Sequence, residues 1–366
     1  MSTTTPAAGT AAARTIAELP AGLAGLPPED AGLFEGIFHI SATTGALSAP
    51  EAMAPWIAKF FGSVEAVARQ RIVKVTNLVT MEGALFNELR ASRPIEARGG
   101  EELKQAVEES RGDPFCRPEE GTPADVFGRV RGEMSITASN VAKYDGFHGL
   151  VVFDEHDPLK ISRAGVRDYL ATARRWAEAA LREDPEAKYY FLLWNCLWKS
   201  GASIVHGHAQ MTATRGMHYA KIESLRLAAL AYRSRTGRGY FDDLYRAHDL
   251  LGLAWTRGGV RGFAYLAPLK EKEVVLLAEE EGNELYDEIY RMLERYRQLG
   301  VKSFNAALIQ PPLAPADEDW SGFPVMVRLV DRGDPRNRTA DMGGMELYAQ
   351  SVVSSDPFRV AAFMQG

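Results

Sequence analysis

The segment Asn195–Gln210, NCLWKSGASIVHGHAQ, concentrates residue types that do chemistry. His206 and His208 stand two apart, and Gln210 follows two further on. In a strand, side chains two apart share a face. The spacing therefore predicts a strand over 203–214, with Ile204, His206, His208 and Gln210 on one face. Ser203, Val205, Gly207, Ala209 and Met211 take the other, which is small and mostly apolar, as a core-facing side must be. Three polar groups in a row are costly to bury without a task. One task is nucleophilic: a neutral imidazole attacks phosphorus, and a neighbouring amide donates to a non-bridging oxygen. The backbone of Gly201 and the hydroxyl of Ser203 can cradle the same phosphate. A second task is metal binding, since HxH places two nitrogens on one ion. On an exposed edge the row needs no function at all.

Elements on both sides must position this segment. Residues 49–71 read as helix and 71–80 as strand. Residues 98–113 read as a solvated helix or loop, and 148–156 is β-rich. Ser162 suits the N-cap of a helix over 163–182 whose Val166, Tyr169, Leu170, Ala173, Trp176, Ala177 and Ala180 form one apolar face. Tyr189–Trp194 reads as a buried strand. The second half repeats the order loosely: strands within 262–277, a helix from an Asn283 cap to Leu299 with Gly300 as its stop, then strands at 304–310 and 323–330. Hairpin-prone strands interleaved with few helices indicate an α+β fold, mostly antiparallel.

Composition bounds the rest. The 366 residues are 46% hydrophobic and 25% charged, which supports a real core and excludes bulk disorder, collagen or coiled coil. No apolar run reaches the ~20 residues that span a bilayer. Two cysteines, Cys116 and Cys196, argue against a disulfide framework and for a reducing, cytoplasmic setting. A net charge of −6 speaks against nucleic acid as a partner. Residues 1–35 are rich in Ala, Pro, Thr and Gly, so little order is expected before Leu33.

The run GASIVHGHAQ resembles the G-x-S-x-x-H-P-H-x-Q signature of the galactose-1-phosphate uridylyltransferase family, the transferase branch of the histidine-triad superfamily. That signature has an Asn thirteen residues before its second His, as Asn195 stands before His208. Asn195, Gly201, Ser203, His206, His208 and Gln210 all fall in register, with Gly207 in place of the usual Pro. DPFCRPEEGTP (113–123) resembles the family's CPFCPGNE-x-x-TP, with Asp113 at the first Cys. ASNVAKYDGFHGLVVFDEH (138–156) and LFNELRASRP (85–94) resemble its Asn strand and its N-terminal arginine segment. The resemblance covers most of 71–215 by motif and 216–366 only by architecture.

The resemblance implies duplicated histidine-triad-like halves: a flexible tail over 1–34, a first half over 35–215 carrying HxHxQ, and a degenerate second half over 216–366. It implies a nucleotidyltransferase working by ping-pong chemistry through a nucleotidyl-His208 intermediate, with His206 and Gln210 beside it. Asn195, Gly201, Ser203, Asn140, Arg90 and Arg93 would hold the nucleotide and its phosphates. The partners would be a nucleotide-sugar or nucleotide and a phosphorylated acceptor, on a homodimer. UDP-hexose/hexose 1-phosphate exchange leads. Adenylyl transfer, or phosphorolysis of dinucleoside polyphosphates or NDP-sugars, is the alternative. Histidine-triad hydrolases carry a third His where Gln210 stands, and an amide cannot give a proton to a leaving group. Gln210 therefore favours transfer or phosphorolysis over hydrolysis.

The sequence also departs from the family. Relatives bind a structural metal through C-x-x-C and two histidines; here Asp113, Cys116, His156 and His206 take those positions. A mixed set suits zinc, because carboxylate oxygen is a zinc ligand. The lost cysteine is equally compatible with no metal. FPVMVRLV (323–330) lacks the histidines of the family's second metal site, so no hexose contact is carried over. Two other classes compete: a metal-dependent amidohydrolase, which needs eight βα units that are missing here, and a non-catalytic nucleotide binder, which would not need the nucleophile.

Overall fold

In the computed structural model, residues 15–92, 103–337 and 342–366 are described. A short 3-10 turn leads into α1 (Leu19–Leu23) and α2 (Pro28–Glu35), followed by β1 (Phe38–Ala46), α3 (Ala54–Phe61), α4 (Val64–Ala68), β2 (Arg69–Asn77) and β3 (Gly83–Phe86). Helices α5 (Leu103–Glu109) and α6 (Pro118–Gly121) flank a 3-10 turn at Pro114–Cys116. Next come β4 (Ser135–Ser139), β5 (Phe147–Phe153), α7 (Arg163–Glu183), β6 (Tyr189–Cys196) and β7 (His208–Thr214). Helices α8 (Ala220–Thr236) and α9 (Tyr240–Asp249) precede β8 (Ala254–Arg257), β9 (Val260–Ala264), β10 (Glu271–Ala278), α10 (Asn283–Gln298), β11 (Phe304–Ile309) and β12 (Val325–Asp331). The chain closes with α11 (Gly344–Tyr348), β13 (Ser351–Val353) and α12 (Pro357–Gln365).

Nine strands form one sheet in the order β4-β5-β7-β6-β11-β12-β10-β9-β8, antiparallel throughout. Within it one motif occurs twice. β4-β5-α7-β6-β7 gives the order β4-β5-β7-β6, and β9-β10-α10-β11-β12 gives β9-β10-β12-β11. The two copies meet where β6 pairs with β11, with Asn195 opposite Asn305. A separate four-stranded sheet, β1-β2-β3-β13, takes its last strand from the C-terminal end of the chain. The fold is α+β with duplicated halves.

The helical periodicities have the packing they predict. All seven apolar positions of α7 are buried, and Ser162 accepts from Gly165 N as its cap. In α10, Leu285, Ile289, Met292, Leu293 and Tyr296 are buried. Gly282 is its N-cap, so Asn283 begins the helix rather than capping it. Gly300, at φ +76°, ends it in a conformation that costs glycine little.

Two further expectations are corrected, and one element went unread. Residues 15–35 are helical rather than a tail, because Ile16, Leu19, Leu33 and Phe34 are buried and Ile16 N donates to Asp356 Oδ2. The helix over 49–71 breaks at Gly62 (φ +83°), restarts on a Ser63 cap and yields to β2 at Arg69. The long helix α8 has no legible apolar stripe, because its buried face includes the Glu223–Arg226 ion pair (2.7 Å), with Arg226 lying over the Trp320 ring.

Candidate active site

β7 begins at His208, so residues 203–207 are a loop and not the first half of a strand. The cause lies on both sides. Leu197, before the loop, sits at φ +68°, ψ 168°, a region that is essentially glycine's own. Gly201 sits at φ +101°. At the far end Gly207 donates its N–H to His156 O (3.1 Å) and accepts from Phe153 N (3.0 Å). A Cβ there would lie 2.7 Å from Phe153 Cδ2. His206 therefore leaves the face it was predicted to share with His208.

His208 is 5% exposed and Phe115 meets its ring edge-on at 5.1 Å. Its Nδ1 lies 2.8 Å from His206 O. A carbonyl only accepts, so Nδ1 carries the proton and Nε2 keeps its lone pair. Nε2 makes no hydrogen bond to a described residue. Burial pushes the His208 pKa below the usual histidine value, which keeps the ring neutral near pH 7. A neutral imidazole with one fixed proton and one free lone pair is a nucleophile.

Asn195 is the penultimate residue of β6. The β6–β7 ladder pairs Leu193 with Gln210, and two residues further along β6 stands Asn195. Its Oδ1 accepts from Asn305 Nδ2 (2.5 Å), and Asn305 also reaches Ser200 O (3.0 Å). Arg332 donates to Asn305 Oδ1. The second half thus holds a residue of the first half's site. Asn305 was not anticipated; its signal is an amide inside the apolar run FNAALI.

The anion cradle differs in detail from the expectation. Gly201 N–H is already given to Trp198 O (3.0 Å), and Ala202 N–H to Leu197 O (3.3 Å). The N–H groups of Ser203, Ile204 and Val205 make no hydrogen bond to a described residue, and the Ser203 side chain is exposed. The N–H groups left to donate in this loop are therefore those of 203–205 and not that of Gly201.

Gln210 Oε1 lies 3.0 Å from His148 Nε2. Asn140 turns inward on its own loop: Oδ1 accepts from Ala142 N (3.0 Å), and Nδ2 lies 3.2 Å from His148 Nε2. Arg90 is exposed on a 3-10 turn and makes no hydrogen bond or ion pair with the histidine group. Arg93 lies outside the described residues.

Asp113, Cys116, His156 and His206 form a second group, each offering a ligand atom within 4.8 Å of the others. His206 Nε2 lies 2.8 Å from Phe153 O and His156 Nε2 2.9 Å from Val107 O. These carbonyls hold the protons on Nε2, so both Nδ1 atoms present lone pairs. The two lone pairs face each other at 3.0 Å, and Cys116 Sγ lies 3.4 and 3.5 Å from them. Asp113 Oδ1 caps the 3-10 turn through Phe115 N and Cys116 N, while its buried Oδ2 has no partner. Opposed lone pairs and an orphaned carboxylate oxygen are unfavourable alone and favourable around a cation. The donor set fits a metal.

No protein-family model matches the chain, and no curated protein matches it. Solved structures do. An ADP-glucose phosphorylase from Arabidopsis thaliana, with bound ADP-glucose, aligns at TM-score 0.59 and 19% identity, over 79% of this chain and 97% of that one. A GalT-like protein from the same plant aligns at 0.56 and 19%, over 70% and 92%. A uridylyltransferase aligns at 0.55 and 15%, over 79% and 96%. These likenesses show the fold, which this chain shares with the phosphorylase, the GalT-like protein and the uridylyltransferase. Among the described residues no helix is long and apolar enough to cross a membrane.

Proposed function

We propose that this protein is a nucleotidyltransferase that carries the nucleotidyl group on His208. The observation that carries the reading is the His208 tautomer: Nδ1–H is tied to His206 O and Nε2 is left with its lone pair. That nitrogen attacks the α-phosphorus of a nucleotide donor, and the bond from phosphorus to the leaving phosphate oxygen breaks. A phosphate oxygen of the acceptor then attacks the same phosphorus, and the N–P bond breaks. Both leaving and attacking groups are phosphates, already anionic near pH 7, so neither step needs a strong acid or base. Gln210 presents an amide and not an acid, which supports transfer or phosphorolysis over hydrolysis.

The donor is read as a nucleoside diphosphate sugar, by likeness to the fold that binds ADP-glucose in the Arabidopsis phosphorylase and occurs in uridylyltransferase. The acceptor is a sugar phosphate or inorganic phosphate. Asn195 and the N–H groups of 203–205 would bind the phosphoryl oxygens. Asp113, Cys116, His156 and His206 would hold a zinc ion, which when bound ties the 113–116 turn to the loop before His208. The first half, 35–215, is taken as catalytic and 216–366 as its degenerate partner. A cytoplasmic homodimer is the expected assembly.

The test is intact mass spectrometry after incubation with UDP-, GDP- and ADP-sugars, ATP and dinucleoside polyphosphates, with His208→Ala alongside. An acid-labile nucleotidyl adduct on the wild type alone is expected, and its mass names the base. Nucleotide binding with no adduct from any donor would overturn the reading in favour of a binder.

A further inference from the structure

His148 is fully buried on β5, two residue pairs along the ladder from Gln210: Leu150 pairs with Gln210 and His148 with Thr212. His148 and Gln210 are thus diagonal neighbours on one face of the sheet, within reach of each other's side chains. Three contacts fix what His148 does there. Tyr144 donates its backbone N–H to His148 Nδ1 (2.9 Å). The Tyr144 ring stacks on the imidazole at 4.5 Å and 19°. His148 Nε2 stands 3.0 Å from Gln210 Oε1.

The proton follows from these contacts. A nitrogen that accepts a backbone N–H is bare, so the neutral ring carries its one proton on Nε2. Asn140 Nδ2 lies 3.2 Å from the same nitrogen, but Ala142 N holds that amide by its Oδ1, so it offers a protonated Nε2 no acceptor. His148 Nε2–H therefore donates to Gln210 Oε1. Flipping the Gln210 amide would oppose two donors. With its oxygen held, Gln210 keeps its NH2 group for something else, and that group has no partner among the described residues.

We propose that His148 is a positioning residue: its Nε2–H locks the Gln210 amide so that Gln210 Nε2 is the donor turned to the transferred phosphoryl group. The relay runs from Tyr144 N–H through His148 to Gln210 with one polarity throughout. It also hangs the orientation of Gln210 on the turn 141–146, whose Val141 and Tyr144 are 85% and 72% exposed. The loop is braced from below: Lys143 Nζ donates to Ser139 Oγ (2.6 Å), and Ser139 Oγ donates to the buried Asp125 (2.5 Å). This deepens the reading of His208 chemistry and rests on it.

Two measurements test the proposal. The first needs no activity. A long-range 1H–15N correlation spectrum of histidine-labelled protein assigns the protonated nitrogen of His148, with His148→Phe identifying its signal. A proton on Nε2 is expected, and one on Nδ1 would overturn the relay. The second is a double-mutant cycle in the transfer reaction. Removing one oriented donor slows kcat by about tenfold or more with KM little changed, and His148→Phe should do so. His148→Gln, which returns an N–H near the same point, should recover most of the rate. His148→Phe combined with Gln210→Ala should match Gln210→Ala alone within about twofold. Multiplying effects would show that His148 acts elsewhere and sink the proposal. A wild type that transfers nothing would instead sink the function reading, and the spectrum would still decide the tautomer.

Discussion

Asn195 and Asn305 meet at the seam between the two halves, Oδ1 to Nδ2 at 2.5 Å, directly opposite each other in the β6–β11 register. The contact fixes which end of the Asn195 amide is free. Its oxygen is used, so its NH2 is the end left to donate. The second copy of the motif therefore orients a residue of the first. Replacing Asn305 with Leu should free the Asn195 amide to rotate and lower kcat/KM by roughly tenfold. Steady-state kinetics check this; an unchanged kcat/KM in a folded variant would mean that the seam contact is only structural.

Gly207 stands where the resembling family has proline, and the packing here accounts for it. Phe153 occupies the space a Cβ would need, stacked on Tyr169 at 3.6 Å, and the Gly207 N–H is bonded to His156 O. Gly207→Ala should cost about 1–3 kcal/mol through overpacking. Gly207→Pro should cost more, since it also removes the donor. Urea denaturation of the two variants gives the values. Wild-type stability for Gly207→Pro would contradict the packing argument.

Purified protein should contain about one zinc per chain by elemental mass spectrometry, since ligand atoms of Asp113, Cys116, His156 and His206 lie within 4.8 Å of one another. Cys116→Ala and His156→Ala should each lose most of it, and chelation should lower the melting temperature of the wild type. A wild type free of metal after growth in zinc-supplemented medium would make the 113–116 turn a plain polar cluster.

Acid should destabilise the fold through His248. The ring is buried, its Nδ1–H donates to Leu244 O (2.7 Å), and its Nε2 accepts from Leu266 N (3.1 Å). Both nitrogens are satisfied only in the neutral form, and burial pushes the pKa down to about 4. Above the unfolded value, near 6.5, neither state binds the proton. As pH falls from there to about 4 the unfolded chain takes it up and the folded one does not, so stability declines by about 3 kcal/mol. His218, also buried and also held at about 4, adds to the same slope. Denaturant midpoints between pH 7.5 and 4.5 measure it. A flat profile would show that both rings protonate in place.

The sequence by itself determined the elements whose signals are local. The apolar faces of α7 and α10, the Ser162 cap and the Gly300 stop depend on residues within a few turns of one another, so spacing suffices. The same holds for the histidine motif, whereas the set Asp113, Cys116, His156 and His206, spread along the chain, was brought together by the family resemblance. The tertiary structure decided what depends on partners far along the chain. It moved the start of β7 to His208, because Gly207 is tied to Phe153 and His156. It turned residues 15–35 into packed helices, because Asp356 lies 340 residues away from Ile16 and still accepts its N–H. It hid α8 from periodicity, because a buried ion pair replaces apolar contact there. It also decided protonation: His148, His206 and His208 read alike in sequence, and only their hydrogen-bond partners fix which nitrogen of each is left with its lone pair.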